Sequence, residues 1–222
     1  MKHILTTLKR GLSDAIARLL FGPLAPCYDG WTWAISLGRW RSWQRTALPH
    51  VQGPRVLEIG CGTGHLLAAM AHGGAQCWGA DQSPQMLALA GRNTRQRGAK
   101  AQLVRCLGQR LPFRDEAFDT VVLCFSGLAW LPQVLAEVKR AMAPAGSLVV
   151  VDEVFFPRST PATRFIRSAL SLYDCEAEEA PPHDAPLREA GLISRVEEHS
   201  VRDSMVRLLV AQKAPISARS TV

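Results

Sequence analysis

From Pro54 onward the chain alternates between two apolar patterns. Short runs of apolar residues, bounded by Gly or Pro, are separated by stretches whose apolar positions recur every three or four residues. The first pattern suits strands buried on both faces; the second is one face of a helix. Arg55 to Ile59 reads as a strand, followed by Gly60-Cys-Gly-Thr-Gly64 and a helix to about His72. Gln76 to Ala80 is a second strand; Asp81 follows, and Pro84 opens a helix where its missing N–H costs nothing. Ala101 to Cys106 and Phe118 to Phe125 are the third and fourth strands. A helix over Gln133 to Met142 is ended by Pro144 and Gly146, and Ser147 to Val151 is the fifth strand.

The tail changes rhythm. Leu187 to Ala190 reads as helix, Gly191 turns, and Ile193 to Glu198 and Met205 to Ala211 read as two strands joined by a turn. Together these elements predict an α/β fold: a doubly wound, mostly parallel seven-stranded sheet of Rossmann-like type with an antiparallel C-terminal strand pair. No internal repeat interrupts it.

The N-terminal part is different again. Ile4, Leu5, Leu8, Leu12, Ile16, Leu19 and Leu20 recur at helical spacing over residues 3–21, with charged residues between them, and Gly22-Pro23 ends the run. This predicts an amphipathic helix, weakened by Gly11. The stretch from Tyr28 to Trp43 then holds four of the six tryptophans. The organisation expected is a helical N-terminal extension or cap over 1–50, an α/β domain over 51–215, and a flexible tail over 216–222.

Charge sharpens this division. The net charge is +7, but residues 1–55 hold eight Lys/Arg against two acids, and residues 56–222 hold eighteen against seventeen. The basic balance therefore belongs to the extension. That argues against a nucleic-acid groove across the domain and for residues 1–45 meeting an anionic membrane surface. Lys9, Arg10 and Asp14 interrupt any apolar core after Met1, so no secretory signal is expected. The seventeen uncharged residues from Thr120 to Ala136 include Ser126, Gly127, Pro132 and Gln133, and fit a strand, a loop and a helix start better than a membrane span. Six scattered cysteines form no Cys-x-x-Cys and no zinc-spaced cluster. They read as reduced thiols of a cytoplasmic protein, peripheral at most on the inner membrane face, with no metal expected.

The candidate chemistry lies at the first strand–helix turn. In an open α/β sheet a ligand sits beyond the carboxyl ends of the strands, and a glycine-rich turn lets backbone approach it closely. The helix that follows offers unpaired N–H groups. Asp81 lies at the end of strand two, where a carboxylate can accept hydrogen bonds from both hydroxyls of a ribose. This combination predicts nucleoside binding. A dinucleotide fold would show G-x-G-x-x-G, whereas His65 stands at its last position and the spacing here is Glu-x-Gly-x-Gly-x-Gly.

With these residues in view the chain resembles the class I S-adenosylmethionine-dependent methyltransferases, in their small-molecule branch of quinone and phospholipid types. Glu58-Ile-Gly-Cys-Gly-Thr-Gly64 is similar to the family's first motif and Gly79-Ala-Asp-Gln-Ser-Pro-Gln-Met-Leu87 to its second-strand motif. Leu111 to Asp119 resembles the segment entering strand four, Leu135 to Leu148 the helix–turn before strand five, and Arg188 to Leu192 the start of the C-terminal end. The resemblance implies S-adenosyl-L-methionine as cofactor. Gly60, Cys61, Gly62 and Gly64 would line its methionine and ribose part, with Glu58 near the ammonium group and Asp81 on the ribose. Gln82 and Met86 would flank the adenine; Cys124 and Phe125 would border the methionine moiety. The family commonly has Gly-Asp-Ala-Glu where this chain has Cys106-Leu-Gly-Gln109, so Leu107 replaces the expected acid. Backbone groups of Leu107 and Gly108, or Gln109, must serve there.

Methyl transfer from a sulfonium is an in-line displacement that positioning alone accelerates greatly, so few obligatory catalytic side chains are expected. Related sequences often place a tyrosine over the active site, and Tyr28 is the candidate here, against a plain packing role. Glu153, after the fifth strand, is the candidate acid for contacting substrate. His65 reads as a helix-start residue, His183 and Asp184 as surface loop, and Glu176, Glu178 and Glu179 as a solvated acidic face. Residues 154–173, with Phe155, Phe156, Phe165, Ile166, Leu170 and Tyr173, are expected to supply a lid. The function expected is methylation of a small hydrophobic or lipid-like acceptor. Alternatives are a soluble metabolite or acyl thioester acceptor, a non-catalytic cofactor-binding assembly protein, and, least favoured, a nicotinamide oxidoreductase.

Overall fold

A computed structural model describes residues 18–127, 131–170 and 184–214. Seven strands form one sheet: β1 (Arg55–Ile59), β2 (Gln76–Asp81), β3 (Ala101–Arg105), β4 (Phe118–Cys124), β5 (Met142–Phe155), β6 (Leu192–Val201) and β7 (Ser204–Lys213). Their order is β3-β2-β1-β4-β5-β7-β6. β1 to β5 pair in parallel, while β7 runs antiparallel to both β5 and β6. The order reverses between β1 and β4, and an open α/β sheet leaves its crevice at such a reversal.

Alternation along the central strands explains why both faces are covered. Leu57 and Ile59 of β1, Val121 and Leu123 of β4, and Leu148 and Val150 of β5 enter one core. Helix Pro132–Ala141 closes that core with Val134, Leu135 and Val138, all fully buried. Val56, Val122, Val149 and Val151 enter the opposite core, under Leu66, Leu67 and Met70 of helix His65–His72. Each buried Leu, Ile or Val contributes roughly 1.5–3 kcal/mol.

Trp43 fixes the N-terminal segment to this second core. It is fully buried, and its indole N–H donates to the Ser204 hydroxyl at 2.8 Å. Its ring meets Trp40, Phe125 and Phe156 edge-on. The segment is a series of short helices: Tyr28–Ile35, Trp40–Gln44 and the 3₁₀ turn Arg45–His50. Of the helix predicted over 3–21, residues 18–21 are helical and residues 1–17 lie outside the described residues. The tail at 216–222 also lies outside them.

Two expectations about β5 are corrected. The preceding helix stops at Ala141, and Met142 to Gly146, including Pro144, is already extended, with a register shift against β4. At the other end the strand runs on past Val151 to Phe155, because β7 supplies antiparallel partners there. Glu153 consequently lies opposite Arg207 inside a strand pair, not in a loop. Residues 156–170 form a short loop and helix Pro161–Leu170, whose Ile166 is fully buried; Tyr173 lies outside the described residues.

Candidate active site

A cavity of about 520 Å³ opens at the sheet reversal, beyond the carboxyl ends of β1, β2 and β4. Its floor is the glycine turn. Gly60 and Cys61 donate their amides to the carbonyl of Ala80 at 2.7 and 3.1 Å, which fastens the turn to the end of β2. Gly60, Gly62 and Gly64 all have positive φ, at 74°, 50° and 75°. Their reasons differ. A Cβ on Gly62 would meet nothing within 4 Å, so this backbone is bare toward the cavity. A Cβ on Gly64 would sit 2.9 Å from the Cβ of Ala90, so this glycine lets two helices approach.

Asp81 stands on the adjoining wall. Its carboxylate accepts the amide of Gly62 at 2.9 Å and that of Ser83 at 2.8 Å, and these two bonds fix its orientation. Ser83 caps the helix Pro84–Gln96 by accepting the Met86 amide, and its hydroxyl donates to the carbonyl of Phe21. That bond carries the N-terminal segment over the cavity.

Most sequence-predicted cofactor residues converge here. Gly60, Cys61, Gly62, Asp81, Gln82, Leu107, Gly108, Gln109, Cys124 and Phe125 line the cavity. Three do not. Gly64 lies behind the turn, against Ala90, and Met86 is fully buried and absent from the cavity lining. Glu58 is buried beneath the turn, with one carboxylate oxygen lacking a hydrogen-bond partner. Burial, reinforced by the charge of Asp81, pushes its pKa to about 8. Burial likewise holds the Cys61 and Cys124 thiols well above their ordinary range, so they border the cavity as neutral groups. Leu107, in place of an acid, is 54% exposed at the rim. Phe125 adopts φ 46° directly after β4, a conformation bulky side chains rarely take, and stacks on Trp40 at 4.8 Å.

The cap expected within residues 1–50 covers the cavity, and the lid expected from residues 154–173 does not in its described part. None of residues 154–170 lines the cavity; Phe156 packs on Trp43 and Phe155 lies under the Arg207 guanidinium. Phe21, Tyr28, Asp29, Thr32, Trp40, Arg41 and Gln44 close it instead. Tyr28 is thus at the cavity, 5.7 Å from the Phe21 ring. Glu153 is not: it accepts from Arg207 at 2.8 Å and is absent from the lining. The physical reason is the continued β5–β7 pairing, which sets an arginine opposite the acid.

Sequence reasoning missed the latch that holds the roof. Asp29 accepts the Thr63 hydroxyl and the His65 ring, both at 2.7 Å, joining helix Tyr28–Ile35 to the glycine turn. Arg41 approaches the same ring at 3.0 Å. Burial alone would raise the Asp29 pKa, but the bonds from His65 and Thr63 and the charges of His65 and Arg41 outweigh it and bring it below the ordinary value. The partners are 34 and 36 residues apart, and no local pattern announces the pairing. His65 opens its helix as expected, and also walls the cavity.

Comparison with known proteins agrees with this geometry. Residues 56–146 match the family described as a methyltransferase domain. The chain is 32% identical over 170 residues to the demethylmenaquinone methyltransferase of Tropheryma whipplei (strain Twist), covering 73% of this chain and 67% of that protein. The chain belongs to the class I S-adenosylmethionine-dependent methyltransferases. It is 36% identical over 140 residues to the demethylmenaquinone methyltransferase of Thermus thermophilus, covering 60% of this chain and 64% of that relative. It thus spans about two thirds of the length of the curated relatives it matches. Among solved structures, a geranyl diphosphate methyltransferase in complex with SAM superposes with a TM-score of 0.61 at 16% identity, over 78% of this chain and 85% of that one. At that identity the likeness speaks for the fold alone. It agrees with the mostly parallel seven-stranded sheet and its antiparallel end.

Proposed function

We propose that this methyltransferase moves the methyl group of S-adenosylmethionine to a hydrophobic acceptor of quinone type, in its reduced, hydroxylated form. The observation that carries the reading is one cavity with two unlike halves. One half is bare glycine backbone and the Asp81 carboxylate, suited to a ribose and an amino acid; the other is Phe21, Tyr28, Trp40 and Phe125, suited to an apolar ring. The relatives named as demethylmenaquinone methyltransferases support the quinone class.

In such a reaction the acceptor's ring carbon forms a bond to the methyl carbon, and the sulfonium C–S bond breaks to release the neutral thioether. The ring then loses its C–H proton to solvent. A hydroxyl on the acceptor ring makes that carbon electron-rich, so the protein need only align donor and acceptor and exclude water. In this reading Tyr28, which lines the apolar half of the cavity, orients that hydroxyl.

Membrane contact by the N-terminal segment belongs to the same proposal. Six of the eleven exposed large hydrophobic side chains among the described residues fall between Leu19 and Leu37, with Trp33 67% exposed. They flank the cavity roof, where a lipid-soluble acceptor would enter. No described helix is long and apolar enough to cross a membrane.

The test is incubation of purified protein with methyl-labelled S-adenosylmethionine and a reduced naphthoquinone unsubstituted at one ring carbon. Label in the organic phase that depends on both reactants, and that falls at least tenfold in Tyr28→Phe, is the expected result. Calorimetry should show S-adenosylmethionine binding and no NADH binding. Labelled water-soluble product, with none on the quinone, would redirect the acceptor; NADH binding without S-adenosylmethionine binding would overturn the reading.

A further inference from the structure

The sequence contains no metal motif, yet the topology brings three ligand-type side chains together outside the cavity. His50 ends the 3₁₀ turn Arg45–His50, while Glu197 and His199 stand two residues apart on one face of edge strand β6. The Nε2 atoms of the histidines are 3.2 Å apart, and a Glu197 carboxylate oxygen lies 3.5 Å from one and 3.7 Å from the other. We infer that His50, Glu197 and His199 form a binding site for a zinc-class divalent cation.

The separations fit that ion. Zinc bonds nitrogen and oxygen at about 2.0–2.2 Å, so ligand atoms at the corners of a tetrahedron stand roughly 3.3–3.6 Å apart. A single hydrogen bond accounts for the His50–His199 distance alone. It does not account for a carboxylate oxygen at nearly the same distance from both rings. The other Glu197 oxygen is occupied, accepting from Arg195 at 2.8 Å, which turns the free lone pairs toward the histidines. Such an outer partner is how metal sites orient a carboxylate.

Access also suits a cation. His50 presents its Nε2 to the other two groups. It is 9% exposed, while Glu197 and His199 are 29% and 31% exposed, giving a deep ligand with an open approach. Two imidazoles and one carboxylate favour zinc over magnesium or calcium, which prefer all-oxygen shells. Three protein ligands leave a fourth position for water. The ion would join the segment that carries Trp43 to the outer edge of the sheet, 149 residues away in sequence. None of the three residues lines the cavity, so the site is structural or regulatory and takes no part in methyl transfer.

The test uses untagged, full-length protein stripped with chelator and titrated with zinc chloride against a chromophoric competitor. One zinc per chain is expected, with tetrahedral visible bands when cobalt replaces it, and a melting temperature that rises with free zinc. His199→Ala, at an exposed edge position, should fold and lose at least 100-fold in affinity together with the melting shift. Arg195→Ala should weaken binding about 10-fold through the carboxylate. Absence of zinc binding, or equal binding by His199→Ala, overturns the assignment. Both readouts are independent of methyl transfer.

Discussion

The carboxylate of Asp81 accepts the backbone amide of Gly62 at 2.9 Å, so the acid and the glycine turn form one hydrogen-bonded unit. A carboxylate has about four lone-pair positions on its two oxygens, and the Gly62 and Ser83 amides use two of them. Asp81 lines the cavity, so the remainder can accept from two ribose hydroxyls. Asp81→Ala should therefore lose roughly 1.5–3 kcal/mol of cofactor affinity, about 10- to 150-fold, with the fold retained. Asp81→Asn should do no better, because its amide group would oppose one of the two backbone N–H groups. Calorimetric titration with S-adenosylmethionine decides it, and unchanged affinity in the folded variants would show that Asp81 is not the ribose ligand.

The two glycines of the turn separate binding from stability. Gly64→Ala drives a Cβ against Ala90 at φ 75° and should cost roughly 1–3 kcal/mol of folding free energy. Gly62→Val meets no protein atom, so its main effect should be on the ligand: a branched side chain would occupy the space the cofactor must enter. Paired melting and binding curves should show the larger melting loss in Gly64→Ala and the larger affinity loss in Gly62→Val. The reverse ranking would mean that the ligand lies elsewhere.

Glu58 predicts a pH dependence. Its folded pKa of about 8 lies above the ordinary 4.5, because burial and Asp81 disfavour the ionised form. Below pH 4.5 both folded and unfolded chains hold this proton, and its contribution to stability is fully present. Between pH 4.5 and about 8 only the folded chain holds it, so stability falls steadily as pH rises, by about 3–5 kcal/mol in all. Glu58→Gln cannot ionise and should remove most of that slope, melting above the parent protein at pH 9. Parallel pH–melting profiles for the two proteins would refute the assignment. A bound ammonium group would favour the ionised acid, so cofactor binding should release protons near neutral pH, measurable as a buffer-dependent heat.

How much of this was legible in the sequence depends on the range of the interaction. β1, β2 and the glycine turn announce themselves through local rules: an apolar run, obligatory glycines, and a proline at a helix start. They fall where the pattern places them, and the residues of the turn floor follow. A lid was expected at 154–173 as well as a cap within 1–50, because the aromatic residues of both stretches look suited to cover a pocket. What separates them is the Trp43–Ser204 bond and the Asp29–Thr63–His65 latch, each joining residues distant in the chain. Glu153 failed for a similar reason: no property of the β5 sequence reveals that Arg207 will lie opposite. The tryptophans also proved heterogeneous, Trp43 being core, Trp40 cavity wall and Trp33 exposed.

The N-terminal segment yields the final prediction. Residues 1–45 hold seven Lys/Arg, but Arg39 is committed to Asp203 and Arg41 lies beside Asp29 and His65. Of the five that remain, Lys2, Lys9 and Arg10 lie ahead of Arg18 and Arg45 and supply three of the charges that can meet an anionic surface, each worth ~1 kcal/mol near the bilayer. Exposed Leu19, Trp31 and Trp33 add apolar anchorage beyond them in the chain. A variant lacking residues 1–17 keeps the Phe21 carbonyl bonded to Ser83, and therefore the cavity roof, while losing Lys2, Lys9 and Arg10. It should bind anionic vesicles about 100-fold more weakly than the full chain, through the loss of ~3 kcal/mol. In co-sedimentation the full chain should pellet with anionic vesicles at low salt and be released at high salt, since screening shortens the reach of its charges. The truncated protein should retain methylation of a detergent-dispersed acceptor and lose it on acceptor held in anionic vesicles. If the full chain stays in the supernatant at low salt, the segment is a cap alone, and the acceptor reaches the cavity from solution.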